Sequence, residues 1–455
     1  MTAIFAKRAL VATGWAQNLR ITLAEGRIAD VIPNSQPAAT DHRVDCLLPA
    51  LANLHSHSFQ RAMAGMTEYR MAGRDSFWTW RDLMYRFTGH LTPEQIEAIA
   101  ALVFLEMQEA GYASVGEFHY LHHQPDGTPY GNLSELSDRI MAAAQTTGIG
   151  LTHLPVLYSY AGVGKTPLEA GQRRFGNDVE RFCQLVDQAK TNIARLPNDC
   201  RVGIAPHSLR ATAPDDLAQV LAAHGNGPVH IHIAEQPKEV AEVKAGLGAR
   251  PVEWLLQNAA VDPSWCLIHA THMTETETRD MARSGAVAGL CPVTEANLGD
   301  GPFNGPGYLQ AGGAFGVGSD SNVLISLTEE LRTLEYSQRL RDLSRNVMIA
   351  AEGSVGQALY TGTARGGAQA LGRGAGEIAP GQWADLLAID TTQPALCALK
   401  DDQLLDGLVF AAKDTVVTDL WSAGRHTVQG GRHIARDQIL AQYREAISSL
   451  LNALG

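Results

Sequence analysis

The stretch LLPALANLHSH (residues 47–57) joins an apolar run to a pair of histidines. The run from Leu47 to Leu54 is typical of a buried β-strand. Alternate residues of a strand lie on the same face, so the imidazoles of His55 and His57 can reach the same metal ion. A chain with 16 histidines can contain such a pair by chance. The pair therefore indicates a metal site only if other candidate ligands accompany it.

Seven further apolar segments follow, and helical patterns separate them. The eight predicted strands are Leu47–Ser56, Ala113–Tyr120, Gly150–Leu157, Arg201–His207, Pro228–Ala234, Trp265–Ala270, Ala286–Pro292 and Gly313–Ser319. Strands that alternate with helices favour a parallel sheet, and eight such units predict an α/β fold, a (β/α)8 TIM-like barrel. The active site of such a barrel lies at the C-terminal ends of its strands.

The helix between the first two strands has the clearest terminal signals. Thr92 is a suitable N-cap, Pro93 occupies the first helical position and Gln95 completes a capping box. Gly111 marks the end of this helix. Further helices are predicted over Asp215–Ala223, Thr274–Ser284 and Leu327–Arg339. The glycine-rich segment 366–376 predicts a linker.

Both ends of the chain show short alternating runs instead. A turn at Glu25-Gly26 separates two such runs and predicts a hairpin near the N-terminus. Short strands are predicted near the C-terminus over 385–390, 416–421 and 426–428. We therefore expect residues 1–47 and 374–455 to form a small β-sandwich domain beside a barrel of residues 48–373.

Composition limits the class of protein. The 455 residues, 45% of them apolar, suit a barrel with a smaller unit. A net charge of −12 without a basic stretch argues against a nucleic-acid partner. The chain has no transmembrane or signal-peptide pattern, and its six cysteines lack CxxC spacing. We expect a cytoplasmic protein with reduced thiols and no membrane partner, assembled as a homodimer, the commonest state of such proteins.

Two further candidate metal ligands stand at predicted strand ends. His232 lies at the end of the fifth strand, and Asp320 follows the eighth. With His55 and His57 they offer imidazole and carboxylate donors, which suit one divalent ion and zinc best, while Fe²⁺ or Mn²⁺ can use the same donors. His230 is an alternative to His232, because it lies two residues earlier on the same face.

Residues beside this set can carry out hydrolysis. A metal ion lowers the pKa of its bound water towards about 7, so a neighbouring base can supply hydroxide at neutral pH. Asp320 can accept the water's proton, His269 can orient the hydroxide or stabilise the tetrahedral intermediate, and Glu235 can protonate a leaving nitrogen. The alternatives are Asp320 as a helix N-cap, Glu235 as a surface carboxylate and His272 in place of His269.

This ordered set of metal-binding and catalytic candidates resembles the amidohydrolase superfamily, in particular its deaminase branch with one metal. The segment GEIAPGQWADL (376–386) resembles the entry to that superfamily's terminal β-domain, so the resemblance spans nearly the whole chain. Members with two metals carry a bridging carboxylated lysine, whereas strands three and four here offer His153 and His207 and no lysine. The resemblance therefore implies a single metal ion.

Three blocks narrow the resemblance to the formimidoylglutamate deiminase family. They are LHSHSFQRAMAG (54–65), FWTWR (77–81) and EFHY (117–120). Pro49-Ala50 stands where the family has Pro-Gly. The family hydrolyses N-formimino-L-glutamate to N-formyl-L-glutamate and ammonia in histidine degradation. The resemblance implies this reaction, with a metal-bound hydroxide attacking the formimino carbon of a small-molecule substrate.

The implied substrate has two carboxylates, which arginine binds in bidentate fashion. By the resemblance, the substrate-binding residues are Gln60, Arg81, Tyr120, His207 and Arg210. Arg61 and Arg86 are nearby competitors, and Arg81 could instead be a surface partner of Asp82.

Two other functions are possible. One is another deaminase of the same branch that acts on a nucleobase or related heterocycle, which calls for aromatic and amide contacts rather than two arginines. The other is a catalytically silent barrel that binds a small ligand or serves as an assembly subunit. This last hypothesis predicts that no metal is bound.

Overall fold

A computed structural model describes residues 2–68 and 77–454, without the side chains of 77–79. The strands are β1 (Thr2–Val11), β2 (Gly14–Ala24), β3 (Arg27–Ile32), β4 (His42–Pro49), β5 (Leu51–Ser56), β6 (Tyr112–His119), β7 (Gly150–Leu157), β8 (Arg201–Val202), β9 (Ala205–Pro206), β10 (Val229–Ile233), β11 (Trp265–His269), β12 (Val287–Leu290), β13 (Ala314–Val317), β14 (Leu386–Ile389), β15 (Val417–Ser422), β16 (Arg425–Gln429) and β17 (Arg432–His433).

The α-helices of the same ranges connect and cover these strands. They are α1 (Phe77–Thr88), α2 (Pro93–Ala110), α3 (Glu135–Thr147), α4 (Val179–Ile193), α5 (Pro214–His224), α6 (Pro237–Leu247), α7 (Pro251–Asn258), α8 (Glu275–Ser284), α9 (Pro292–Leu298), α10 (Gly305–Gln310), α11 (Leu327–Asp342), α12 (Val355–Ala370), α13 (Asp402–Phe410) and α14 (Arg436–Leu454). Among the described residues, every helix is too short or too polar to cross a lipid bilayer.

The central element is the predicted (β/α)8 barrel. Strands β5, β6, β7 and β8 pair in parallel, with β9 also on β7, and β10 to β13 form a second parallel sheet. Bridges between Ser56 and Asp320 and between Ile204 and Val229 join the two sheets at both seams. The prediction of eight barrel strands is confirmed, and the strand ends that carry the candidate ligands meet at one rim.

Two of the predicted strands are divided. The first run breaks at Ala50, so that Pro49 ends β4 in the terminal sheet and Leu51 begins β5 in the barrel. The fourth is interrupted at Gly203, whose N–H donates to the carbonyl of His153 on β7. The next N–H, that of Ile204, donates to the carbonyl of Pro228, directly before β10, and β9 then pairs with β7 again.

The prediction of a linker over 366–376 is wrong for its first part. Gly366 and Gly367 lie inside α12, and a Cβ on Gly366 would overlap the backbone of Phe315 on β13. A Cβ on Gly367 would lie 3.1 Å from the carbonyl oxygen of Ala52 on β5. The glycines therefore allow a helix to pack closely on the seam of the barrel rather than a flexible connection.

Both ends of the chain meet in one sheet, in the order β17-β16-β15-β14-β4-β1-β2-β3. The predicted N-terminal hairpin is present as β2 and β3, with Glu25 and Gly26 at φ of 51° and 78°. The apolar interior of this sheet combines residues of both ends, such as Ile21 and Trp421. Strand β4 pairs with both β1 and β14 and so joins the two chain ends.

The predicted start and end of the helix between the first two barrel strands, α2, are confirmed. The Thr92 side chain accepts from the N–H of Gln95, and the Gln95 side chain accepts from the N–H of Thr92. Gly111 ends α2 in the left-handed conformation, at φ 112°. This buried helix covers the barrel between β5 and β6.

Candidate active site

The candidate metal ligands converge at the C-terminal rim of the barrel. The ligand atoms of His55, His57, His232 and Asp320 all lie within 4.8 Å of one another. The Nε2 atoms of His55 and His57 lie 3.4 and 3.2 Å from Asp320 Oδ1. The Nε2 atoms of His55 and His232 are 3.1 Å apart. Strands β5, β10 and β13, far apart in sequence, thus bring four donors to one point.

Hydrogen bonds fix the orientation of two of these imidazoles. His57 Nδ1 donates to the carbonyl of Phe118 at 2.8 Å, and His232 Nδ1 donates to the carbonyl of His207 at 3.2 Å. Since a carbonyl oxygen can only accept, Nδ1 carries the proton and each Nε2 presents a lone pair to the site. Such second contacts orient the histidines of protein metal sites.

Burial sets the charge of this group. It is the largest cause that lowers the pKa of His55, to about 3, and it also lowers the pKa of His57 and of His232. Burial raises the pKa of Asp320, but the hydrogen bond from His55 and the neighbouring imidazoles outweigh it and hold that pKa below its ordinary value. Neutral imidazoles with one carboxylate are the donor set that a divalent metal ion prefers.

The alternative ligand His230 points elsewhere. Its Nε2 donates to the carbonyl of Ala370 at 2.8 Å, and its ring is fully buried. Asp320 is likewise not a helix N-cap, because the next helix begins at Leu327 with Ser326 as its N-cap. The candidate ligand group therefore contains His232 rather than His230, and Asp320 belongs to it as well.

The backbone turns sharply where the strands meet the site. Ala234, His269 and Asp320 have φ values of 51°, 67° and 48°. Non-glycine residues adopt this left-handed region at an energetic cost, and such residues cluster at functional sites. The turns direct the His269 and Asp320 side chains towards the same space above the barrel.

His269 lies between three carboxylates. Its Nε2 is 3.9 Å from Asp320 Oδ2 and 3.9 Å from Glu235 Oε1, and its Nδ1 contacts Glu295 Oε1 at 3.2 Å. Burial by itself would lower the pKa of His269, but Glu235, Glu295 and Asp320 raise it to about 10. Burial also raises the pKa of the Glu235 carboxyl. His269, Glu235 and Asp320 are therefore close enough to exchange protons through one bound water or substrate atom.

Two carboxylates that support this group were not among the predicted residues. Glu295 Oε1 accepts from the N–H of Cys291 at 2.9 Å as well as from His269. Glu239 accepts from the N–H groups of Ala234 and Glu235 at 3.2 and 2.9 Å. Each follows a proline at the start of a helix, which is the one sequence signal that could have indicated a carboxylate turned back towards the strand end.

Glu117 is a third buried carboxylate that sequence reasoning missed. Its Oε1 accepts from the N–H and the hydroxyl of Ser58 at 2.8 and 2.6 Å. Burial raises the pKa of this group to about 7. The contact anchors the 3-10 helix Ser58–Met63, which carries Gln60 into the site.

The predicted substrate-binding residues all line one cleft above the ligand group. Its lining is His57, Gln60, Trp80, Arg81, Met84, Tyr85, Tyr120, Tyr158, Phe175, His207, Arg210, His232, Glu235, His269, Thr294, Leu298, Asp320 and Ser321. Gln60 Nε2 donates to the Tyr120 hydroxyl at 2.7 Å. The Arg81 guanidinium lies over the Tyr85 ring, 5.4 Å from its centroid, and burial raises the pKa of the Tyr85 phenol.

The competing candidates lie outside this lining. Arg61 forms an ion pair with Glu106 at 2.9 Å and donates to the carbonyls of Asn322 and Val323. Arg86 is exposed on α1. His272 lines a different surface pocket. Among the described residues, the arginines that line the cleft are therefore Arg81 and Arg210.

Comparison with known proteins assigns the chain to a protein family. The model of the amidohydrolase family matches residues 46–427, which include the barrel and most of the C-terminal strands. The chain belongs to the amidohydrolase family. A second model, "Formimidoylglutamate deiminase HutF, N-terminal domain", matches residues 1–45.

Single proteins that match the chain over its full length give a more detailed comparison than the family models. The chain is 48% identical over 455 residues to formimidoylglutamate deiminase of Pseudomonas aeruginosa, with 99% of this chain and 100% of the relative covered. The crystal structure of an amidohydrolase from Brucella melitensis is 49% identical and superposes with a TM-score of 0.95, covering 99% and 100% of the two chains. A zinc-bound adenosine deaminase from Xanthomonas campestris shares the fold at 20% identity, with a TM-score of 0.81 and 99% and 98% coverage.

Proposed function

We propose that this protein catalyses the metal-dependent hydrolysis of N-formimino-L-glutamate to N-formyl-L-glutamate and ammonia, in histidine degradation. The cleft that combines the His/Asp ligand group, Glu235 and two arginines carries this proposal. The full-length similarity to the Pseudomonas aeruginosa enzyme supports it independently.

We assign one Zn²⁺ ion to His55, His57, His232 and Asp320. Three neutral imidazole nitrogens and one carboxylate suit zinc, and their separations allow a single ion to contact all four. When bound, such an ion supplies a water molecule whose pKa is low enough for nucleophilic attack near neutral pH. Fe²⁺ or Mn²⁺ in the same place would be an alternative occupant.

The protein's own groups move the protons. The reaction forms a C–O bond from water to the formimino carbon and breaks the bond from that carbon to the terminal nitrogen, which leaves as ammonia. Both water protons end on this nitrogen. Asp320 accepts the first, His269 orients the attacking oxygen or stabilises the tetrahedral intermediate, and Glu235 delivers protons to the nitrogen. Burial raises the pKa of Glu235, so its carboxyl keeps a proton at a higher pH than an exposed carboxyl does, as a general acid requires.

The substrate's carboxylates are assigned to Arg81 and Arg210. Guanidinium groups bind carboxylates in bidentate fashion, and a buried cleft strengthens that interaction. The Tyr120 hydroxyl, held by Gln60, and the His207 ring contribute further hydrogen bonds to the polar formimino end or to a carboxylate. This distribution orients the reactive carbon towards the ligand group.

The direct test is ammonia release from N-formimino-L-glutamate by purified protein. We expect release that stops on chelation and returns with Zn²⁺. Absence of ammonia from a metal-replete preparation would contradict the proposal.

A second candidate is the deamination of a heterocycle. Its specific support is the aromatic lining of the cleft by Trp80, Tyr85, Tyr158 and Phe175. A 5-methylthioadenosine/S-adenosylhomocysteine deaminase from Natronomonas pharaonis is also 27% identical over 91% of this chain. Replacement Arg210→Met separates the candidates. It should raise KM for the dicarboxylate about 100-fold or more, since a charged hydrogen bond contributes about 1.5–3 kcal/mol and a bidentate pair has two. Unchanged KM, with turnover of 5′-methylthioadenosine, would favour the second candidate.

We also propose a homodimer in the cytoplasm. Light scattering of the purified protein tests the first, and fractionation of cells that express it tests the second.

A further inference from the structure

A second group of metal-binding side chains lies outside the barrel, in the terminal sheet. His42 begins β4, Asp419 lies on β15 and His426 on β16. The Nε2 atoms of His42 and His426 lie 3.1 and 2.8 Å from the same oxygen, Asp419 Oδ1. One ligand atom from each of the three residues lies within 4.8 Å of the others.

A buried tryptophan packs against the two histidines of this group. The Trp421 ring stacks on His426 with a centroid distance of 4.3 Å and an interplanar angle of 14°, and it meets the His42 ring edge-on at 5.3 Å. Trp421 belongs to the apolar interior of the sheet and is 1% exposed. The side chains of His42 and His426 are 39% and 23% exposed. The group therefore packs on the Trp421 ring on one side and is open to solvent on the other.

The separations fit a transition metal ion. Ligand bonds of about 2.0–2.1 Å at tetrahedral angles place donor atoms about 3.3 Å apart. The two observed nitrogen–oxygen separations, 3.1 and 2.8 Å, need to widen by only a few tenths of an ångström, and a ring nitrogen of each histidine lies within 4.8 Å of one of the other. Two imidazoles and one carboxylate are three protein ligands, and water can reach the fourth position from the open side.

We propose that His42, Asp419 and His426 form a second, peripheral site for a divalent transition metal ion such as Zn²⁺ or Cu²⁺. His42 and Asp419 are 377 positions apart in the sequence, so the ion joins the N-terminal and C-terminal parts of the terminal sheet. An ion that binds only the folded state stabilises it by mass action. The site takes no part in the reaction of the barrel, and the proposal does not depend on which substrate the barrel binds.

The test uses the enzyme with its barrel site already filled with zinc. Wild type, the double variant His42→Gln with His426→Gln, and the control His90→Gln are dialysed against the same low concentration of ZnCl₂. His90 is an exposed histidine between α1 and α2. We expect wild type and the control to retain about one zinc ion per chain more than the double variant, with equal activity in all three. Equal zinc content would overturn the proposal.

A second measurement does not require a variant. Cu²⁺ added at one equivalent to wild type that holds a single zinc ion per chain should quench part of the tryptophan fluorescence, through Trp421, and give an electron paramagnetic resonance spectrum with coupling to two nitrogens. The zinc content of the same sample shows that the barrel ion has not been displaced. A spectrum without nitrogen coupling means that the three residues form only a hydrogen-bonded group, and the proposal then fails.

Discussion

Glu235 is a buried carboxylate at the turn after β10, not the surface residue that begins a helix. It is 9% exposed, and its carboxylate lies 3.9 Å from His269. The N–H of Glu235 donates to the Glu239 carboxylate, and this hydrogen bond holds the backbone of Glu235 in place. A carboxyl held in this way can deliver a proton to one defined substrate atom.

Replacement Glu235→Gln removes this proton donor and keeps the size of the side chain. We expect kcat to fall about 100- to 10,000-fold, the usual contribution of a general acid, with the metal content unchanged. Glu242→Gln on α6, the helix that follows Glu235, is the control, since that side chain is 39% exposed. Steady-state kinetics and metal analysis check the result, and a kcat within a few-fold of wild type would remove Glu235 from its assigned role.

The residue types of the site were predictable from sequence, whereas their supporting partners were not. His55 and His57 follow an apolar run, and this local pattern indicates a ligand pair at a strand end. Glu295 contacts His269 from a different strand-to-helix connection, and no local pattern links the two. Contacts between side chains distant in sequence depend on how the strands are arranged around the barrel.

At the scale of elements, close approach of backbones closes the barrel. Gly318 follows β13, and a Cβ at this position would lie 2.6 Å from both the backbone nitrogen and the oxygen of His55. The N–H of Asp320 donates to the same His55 oxygen at 2.9 Å. The seam between the first and last barrel strands therefore also sets the spacing of two candidate ligands.

Gly318→Ala should disturb this seam. The added methyl group cannot be accommodated without moving β13 away from β5, so we expect a lower melting temperature and weaker metal retention during dialysis. Gly131→Ala is a suitable control, because nothing lies within 4 Å of its Cβ position. If the two variants melt and retain metal alike, the seam tolerates more movement than the distances imply.

At the scale of the whole molecule, a buried ion-pair group joins the barrel to the terminal sheet. Arg373 contacts Asp385 at 2.6 Å and Asp199 at 2.9 Å, and Arg425 contacts Asp199 at 2.7 Å. Arg373, Asp199 and Asp385 are each 1–2% exposed at their side chains. The division into residues 1–47 with 374–455 and 48–373 stays a prediction, and this group lies where those two parts meet.

Arg373→Met should destabilise the protein strongly. Removing one partner of a buried ion pair costs about 3–5 kcal/mol, because the remaining carboxylates lose their compensating charge. Arg365→Met, which removes a surface pair with Glu377 whose arginine is 61% exposed, should cost about 1 kcal/mol or less. Chemical denaturation curves of the two variants provide the comparison, and equal midpoints would contradict the assigned importance of the buried group.

The same group predicts a loss of stability in acid. Burial raises the pKa of Asp199, but Arg425 and Arg373 outweigh it and hold that pKa below its ordinary value of 3.8. A lowered carboxyl pKa stabilises the folded state above the unfolded value, and this contribution is lost as the pH falls through the folded pKa. The wild type should therefore lose stability below about pH 4. Arg373→Met should lose less over that range.

The fold class, the eight strands and the candidate site residues could all be predicted from the sequence. These features follow from local patterns: apolar periodicity, capping residues at helix ends and polar residues directly after strands. Only the folded structure showed that His230 bonds to the backbone outside the ligand group, placed Gly366 in a helix and brought Glu295 to His269. Each of these depends on the relative positions of segments far apart in sequence, which packing of the folded chain fixes and a local pattern does not encode.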